Sequence, residues 1–232
     1  MTGVFEHVRL ICFDLDDTLW PCHPVIHAAE VECYAWLDRQ APRLTACYTP
    51  EQLREHRIAL GHARPDIAHD LTEVRLRSLE TLLAEHGYNV DLAHAASDVF
   101  RAARNRVTPY AEVIGALAEL RPRYTLVSVT NGNSQIEHTP LRASFDHSLT
   151  AAEVGAAKPD PAIFQVASQR SGIPLDAFLH VGDDPLRDVQ AARDLGLTTV
   201  WVNREANDWP DPLPRADLEV ADINRLVERM IG

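Results

Sequence analysis

Asp14, Asp16 and Asp17 fall within four positions of one another in FDLDDTLW, Phe13 to Trp20. They directly follow VRLIC, Val8 to Cys12, an apolar run of strand length rich in branched residues. Three carboxylates at the end of a buried strand repel one another unless a cation or a proton separates them. That points to metal binding, acid–base chemistry or both. Three further polar clusters have the same character. Thr130-Asn131-Gly132-Asn133 follows YTLVSV, Gly182-Asp183-Asp184-Pro185 follows FLHV, and Lys158-Pro159 lies between strand candidates.

A buried parallel strand reads as a continuous apolar run, and ligands in open α/β sheets sit beyond the carboxyl ends of the strands. A parallel sheet would therefore gather Asp14, Asp16, Thr130, Asn131 and Asp183 at one edge. After Thr108-Pro109 the chain alternates as such a sheet requires. Helices are expected at 110–120, 161–171, 185–195 and 221–230. Strands are expected at 124–129, 145–150, 178–181 and, as the last one, 198–202. Residues 203–217, with three prolines, read as a loop.

Between Pro24 and Val107 the strand-like runs disappear. Helices are expected at 25–37, from Thr49-Pro50 onward, from Pro65 to Gly87, and at 91–106. Thr49 has the character of an N-cap, with proline at the first helical position. Four helices with short connections make a small bundle. The first strand precedes the bundle and the others follow it. The expected fold is thus an α/β, Rossmann-like parallel sheet covered by helices (residues 1–20 and 108–232), with an inserted four-helix cap (residues 21–107).

The 232 residues carry 34 acidic and 22 basic side chains, a formal net charge of −12. This argues against a nucleic-acid or anionic-membrane partner. The four cysteines lack CxxC spacing and read as thiols of a cytoplasmic protein. The segment MTGVFEH has no apolar signal-peptide region, and no run approaches a membrane span.

Taken in order, DxDxT at Asp14 to Thr18, Thr130-Asn131-Gly132, Lys158 in GAAKPDPAIF and HVGDDPLRD from His180 to Asp188 resemble the haloacid dehalogenase superfamily. The likeness is to its phosphatases with a helical cap after the first strand. It covers nearly the whole chain and departs only in Thr130, where serine is frequent. The resemblance implies that Asp14 is the nucleophile that forms an aspartyl-phosphate and that Asp16 is the acid–base. It implies Mg²⁺ held by Asp14, the Asp16 carbonyl and Asp183, with Asp188 or Asp184 supporting the metal. Thr130 and the amides around Asn131 and Gly132 would bind phosphoryl oxygens at a helix start. Lys158 would neutralise the phosphate and Asp14.

Asp16 separates the subclasses, because a halide leaves without a proton and dehalogenases of the superfamily look different here. FDLDDTLW, residues 64–80, VTNGNSQ and HVGDD are similar to bacterial phosphatases acting on FMN and on the ribityl-aminouracil phosphate of riboflavin synthesis. A small phosphorylated metabolite is the implied partner of a monomer or homodimer. Trp20 either stacks on a flat ring or packs the cap hinge. His69, Thr72 and Arg75 or Arg77 either line the cap's inner face or form a solvated face with Glu73 and Arg77 paired. Sugar or nucleotide phosphates as substrates, a phosphomutase, a 2-haloacid dehalogenase and a non-catalytic phosphate-binding regulator remain as alternatives.

Overall fold

The computed structural model of the chain describes residues 5–232. Residues 1–4, on which part of the signal-peptide reading rests, lie outside them. The apolar run before Asp14 forms β1 (Leu10–Phe13), buried at every position. The later runs form β2 (Thr125–Thr130), β3 (His147–Thr150), β4 (Phe178–Gly182), β5 (Thr198–Val202) and β6 (Leu218–Val220). Among the described residues these six make one parallel sheet in the order β3-β2-β1-β4-β5-β6.

β1 is central. Phe13 pairs with Ser128 on one side and Val181 on the other, and β2 and β4 end at Thr130 and Gly182, just past the end of β1. The strand order reverses there, the place where α/β sheets bind ligands. Side chains alternate across a strand. Leu10 and Cys12 join Val127, Val129 and Phe178 on one face, covered by Ile163, Phe164 and Ala167 of a helix at Ala162–Ser171. Elsewhere in this unit a helix at Val113–Leu120 packs against the C-terminal helix Ile223–Ile231.

Several expected boundaries move for local reasons. Val113–Leu120 starts later than expected: residues 110–113 close a turn through the Val113 amide and the Tyr110 carbonyl at 3.0 Å, while the Tyr110 amide donates to the Leu19 carbonyl at 3.0 Å. Residues 185–195 form a wide π-type segment, Pro185–Gln190, and then a short helix, Ala191–Arg193. β5 is not the last strand: β6 follows the proline-rich loop and pairs with β5 through Val200–Leu218 and Val202–Val220. A three-residue edge strand carries too little periodicity to be read from sequence.

The chain divides into two compact units. The α/β unit comprises the chain up to Pro21 with 108–132 and 139–232, and the helical unit comprises 22–107 with 133–138. The six residues 133–138, expected with the sheet, group with the helices. Asn133 donates to Thr72 and the Gln135 amide to Asn105, at 3.3 and 2.9 Å. The helical unit contains α1 (Cys22–Gln40), a four-residue α2 (Pro42–Thr45), α3 (Pro50–Ala63), α4 (Leu71–Glu85) and α5 (Leu92–Arg104).

Thr49 caps α3 through a reciprocal box with Gln52. α4 begins at Leu71 and not near Pro65. Asp70 accepts from the Thr72 and Glu73 amides at 2.9 Å, while residues 64–70 close into turns. Leu37, Leu44, Leu53, Leu79, Leu82, Leu83 and Phe100 fill the interior. Among the described residues no helix is long and apolar enough to cross a membrane.

Arg75 belongs to that interior, which corrects its reading as a substrate-facing residue. Its guanidinium donates to both carboxylate oxygens of Glu30 at 2.8 and 3.2 Å and lies 3.4 Å from the centre of the Phe100 ring. Arg57 also donates to Glu30, at 2.6 Å. Burial pushes the Glu30 carboxyl up, but the hydrogen bonds and charges of Arg75 and Arg57 outweigh it and hold the group below its ordinary value. The other alternative raised for this helix face is realised by Arg77, which is exposed and pairs with Glu73 and Glu80.

Breaking a buried ion pair from one side leaves an uncompensated charge, so Arg75→Met is expected to cost about 3 kcal/mol of stability. Because the folded protein lowers the Glu30 value, this contribution is complete above about 4.5, the ordinary carboxyl value, and fades as pH falls through the folded-state value. Denaturant titrations at neutral and acid pH check both statements. Glu30→Gln should show a smaller acid loss than the parent, and equal losses would refute the linkage.

Candidate active site

Asp14 continues β1 by one residue, its amide donating to the Val181 carbonyl at 2.9 Å. The next residues turn sharply back. The Asp17 amide donates to the Trp20 carbonyl at 2.7 Å and the Leu19 amide to the Leu15 carbonyl at 2.8 Å. Asp17 takes a left-handed φ of 58°, which aspartate tolerates better than most residues. The turn buries Asp14, leaves Asp16 half-buried and exposes Asp17.

Lys158 is the buried counter-charge. Its ammonium donates to Asp14 Oδ1 and Asp188 Oδ1 at 2.6 Å each and to the Val129 carbonyl at 3.1 Å. Burial alone would lower its pKa, but the two carboxylates outweigh this and keep it protonated. Asn131 fixes the Lys158 backbone from both sides. Its Nδ2 donates to the Lys158 carbonyl at 2.8 Å and its Oδ1 accepts from the Lys158 amide at 2.7 Å. Thr130, also buried, accepts from the Gly132 amide at 2.9 Å. The expected helix start at Asn131 is absent: the chain bends there and makes only a short 3₁₀ turn at Ile136–His138. A two-residue hydroxyl turn and the Asn131 side chain organise this loop instead.

The end of β4 supplies the other carboxylates. Asp183 accepts from the Thr18 hydroxyl at 2.9 Å, and its carbonyl accepts from Trp201 Nε1 at 2.8 Å. Asp188 accepts from Lys158, from the Asp184 amide at 3.0 Å, and lies 3.0 Å from His180 Nε2. Asp184 instead caps the segment after it, accepting from the Leu186 and Arg187 amides. Asp188 is therefore the member of this pair that joins Asp14 and Asp183. One oxygen from each of these three lies within 4.8 Å of the others.

Their surroundings differ. Burial, then the Asp188 charge, pushes the Asp183 carboxyl up to about 7. Burial also raises Asp14 well above its ordinary value, against the pull of Lys158. Burial would raise Asp188 too, but Lys158 and His180 together hold it low. His180 is itself pushed down by burial, with its Nδ1 3.1 Å from the Cys12 carbonyl. Hard oxygen donors crowded around one small space, two of them reluctant to ionise unaided, fit a hard divalent cation and offer nothing to a soft metal.

Trp20 is fully buried, so it has no face on which a substrate ring could stack. Its Nε1 donates to Asp16 Oδ1 at 2.9 Å. Sequence reasoning assigned no role to Thr18, His180, Gly182 or Trp201. The first three lie within the recognised motifs and Trp201 in the later strand β5, and their contacts depend on which strands become neighbours. At Gly182 a Cβ would overlap the Asp188 carboxyl group. Gly182→Ala is accordingly expected to displace Asp188 and cost about 1–3 kcal/mol through overpacking. Its activity should fall more than its stability predicts. A wild-type rate in a folded Gly182→Ala protein would contradict the crowding.

The sequence profile of the haloacid dehalogenase-like hydrolases matches residues 8–196. The chain is 32% identical to the 5-amino-6-(5-phospho-D-ribitylamino)uracil phosphatase YigB of Escherichia coli (strain K12), covering 94% of this chain and 93% of that protein. It is 29% identical to the phosphoserine phosphatase of Thermus thermophilus, covering 94% of this chain and 98% of that protein. A crystal structure of 2-haloacid dehalogenase from Pseudomonas syringae pv. Tomato DC3000 superposes with a TM-score of 0.89 at 36% identity, covering 96% of this chain and 98% of that one.

Proposed function

The chain belongs to the haloacid dehalogenase-like hydrolases, and from that premise we propose that it is a Mg²⁺-dependent phosphatase of small phosphorylated metabolites. The observation that carries this reading is the convergence of Asp14, Asp183 and Asp188, two of which, Asp14 and Asp188, share the ammonium of Lys158. Halide displacement needs one nucleophilic carboxylate and no surplus of negative charge. A cluster of three suits a divalent cation and a phosphoryl group.

In this reading Asp14 attacks phosphorus in line, and the bond from phosphorus to the ester oxygen breaks. Asp16 gives its proton to the departing alkoxide, leaving an aspartyl-phosphate on Asp14. Asp16 then takes a proton from the attacking water. The bond from phosphorus to Asp14 breaks, and phosphate leaves with Asp14 restored. Asp14, the Asp16 carbonyl and Asp183, with Asp188 supporting, would hold the Mg²⁺, which would supply positive charge to the phosphoryl oxygens. Lys158 neutralises the reacting carboxylate and orients it against Asp188. Thr130 and the backbone around Asn131 and Gly132 receive the phosphoryl oxygens.

The helical unit is proposed as a cap that selects the substrate. The candidates are FMN and the ribityl-aminouracil phosphate for which the 32%-identical relative is named. Cys12, Cys33 and Cys47 are free thiols, which fits a reducing cytoplasm. The 36%-identical structure named as a dehalogenase supports a second reading, hydrolysis of a 2-halo acid.

Phosphate release from FMN, the ribityl-aminouracil phosphate and a panel of sugar and nucleotide phosphates, run beside chloride release from 2-chloropropionate, separates the two. Phosphate is expected. Asp14→Asn should reduce its release on the order of 10⁴-fold or more, the scale of losing a nucleophile. Chloride release without phosphate release would install the second reading. Mg²⁺ should also stabilise the folded protein, by about 2.7 kcal/mol at a hundred times its dissociation constant. A melting-temperature rise that chelator reverses and Asp183→Asn abolishes is the expected result. An equal rise in Asp183→Asn would remove Asp183 from the metal.

A further inference from the structure

We propose that Trp20 is a positioning residue for the acid step: its buried indole N–H holds the Asp16 carboxyl in the orientation that protonates the leaving group. This inference rests on the phosphatase reading above. The donor is Trp20 Nε1 and the acceptor Asp16 Oδ1, 2.9 Å apart.

The indole is held by its surroundings. Trp20 has no exposed surface. Its carbonyl receives the Asp17 amide at 2.7 Å, and its backbone forms a parallel bridge with Asp16. Asp16 is the contrast, half-exposed on a short loop. A carboxyl group that must meet a leaving group works within a narrow geometry, and a fixed donor on one of its oxygens narrows it.

The contact also selects an oxygen. In a protonated carboxyl the carbonyl oxygen accepts a hydrogen bond better than the hydroxyl oxygen does. An N–H aimed at Oδ1 therefore favours Oδ1 as the carbonyl oxygen. During ester cleavage the proton moves from the Asp16 carboxyl to the alkoxide oxygen, and the resulting carboxylate keeps its bond to the indole. The arrangement explains why a large aromatic side chain, enclosed and unable to meet substrate, stands four residues after the acid.

The test exploits the leaving group, because p-nitrophenolate departs without a proton and an alkoxide does not. kcat/KM is measured for p-nitrophenyl phosphate and for the alkyl phosphate turned over best in the substrate panel. The proteins compared are the wild type, Trp20→Phe, Asp16→Asn and the double variant. Trp20→Phe should lose about 10- to 100-fold on the alkyl phosphate, the scale of a misplaced catalytic group. It should lose less than about 3-fold on the aryl phosphate, within the range that acid catalysis does not touch.

In the Asp16→Asn background the Trp20 change should add nothing on either substrate. Equal losses on both substrates, or a full further loss in the Asp16→Asn background, would assign Trp20 to packing alone and overturn the proposal. Where Trp20→Phe does not fold, site-specific replacement by 3-benzothienyl-alanine carries the same test. That side chain keeps the shape and replaces the N–H with sulfur. A folded wild-type protein inactive on both substrates would overturn the phosphatase reading itself, and the role of Trp20 with it.

Discussion

The ammonium of Lys158, shared between Asp14 and Asp188, is the contact on which the rest of the site depends. Removing three ions from water is unfavourable unless each finds close partners. The chain meets that demand from four directions. β1 delivers Asp14, the segment after β4 delivers Asp188, β2 offers the Val129 carbonyl, and Asn131 fixes the lysine's own backbone. The parallel sheet, with β1 between β2 and β4, brings these pieces to one point. The closeness of Asp188 in turn requires that residue 182 have no side chain. A local charge contact thus constrains sheet order, strand length and a glycine.

The same contact distributes the carboxylates among different environments. Asp188 touches both Lys158 and His180 and ionises readily, whereas Asp183 has a hydroxyl from Thr18 and a more reluctant proton. Asp14 lies between these cases, sharing the ammonium while burial works against its charge. Asp16, on the loop, accepts from an indole N–H. Four acidic groups near one sheet edge can therefore carry unlike duties, because each has a different set of neighbours.

What was legible in the sequence was whatever depends on chain-local pattern. The buried runs before Asp14, Asn131 and Asp183 announced strands, and alternation with helices announced a parallel sheet. That was enough to place the acidic clusters at one edge. Capping chemistry at Thr49 was equally local. The readings that failed depend on partners distant in sequence. Arg75 looks like a surface cation until Glu30 and Phe100, from two other helices, enclose it. Trp20 looks available for stacking until the core closes around it. Residues 133–138 follow a sheet motif, yet their hydrogen bonds go to Thr72 and Asn105. β6 escaped notice because three residues are too few to show a period.

Charge gives the last constraint on function. The molecule carries a formal charge of −12, and its candidate active site sets three carboxylates against one ammonium. A phosphoryl group brings further negative charge into a space already short of cations. Lys158 cannot relieve this alone, since both of its carboxylate partners already claim its protons. Thr130 and the amides beside it supply dipoles and no net charge. On the proposed reading, then, a divalent cation does more than assist the chemistry. It would cancel the surplus negative charge an anionic substrate meets, and without it the cluster that makes Asp14 a nucleophile would repel the group that Asp14 must attack.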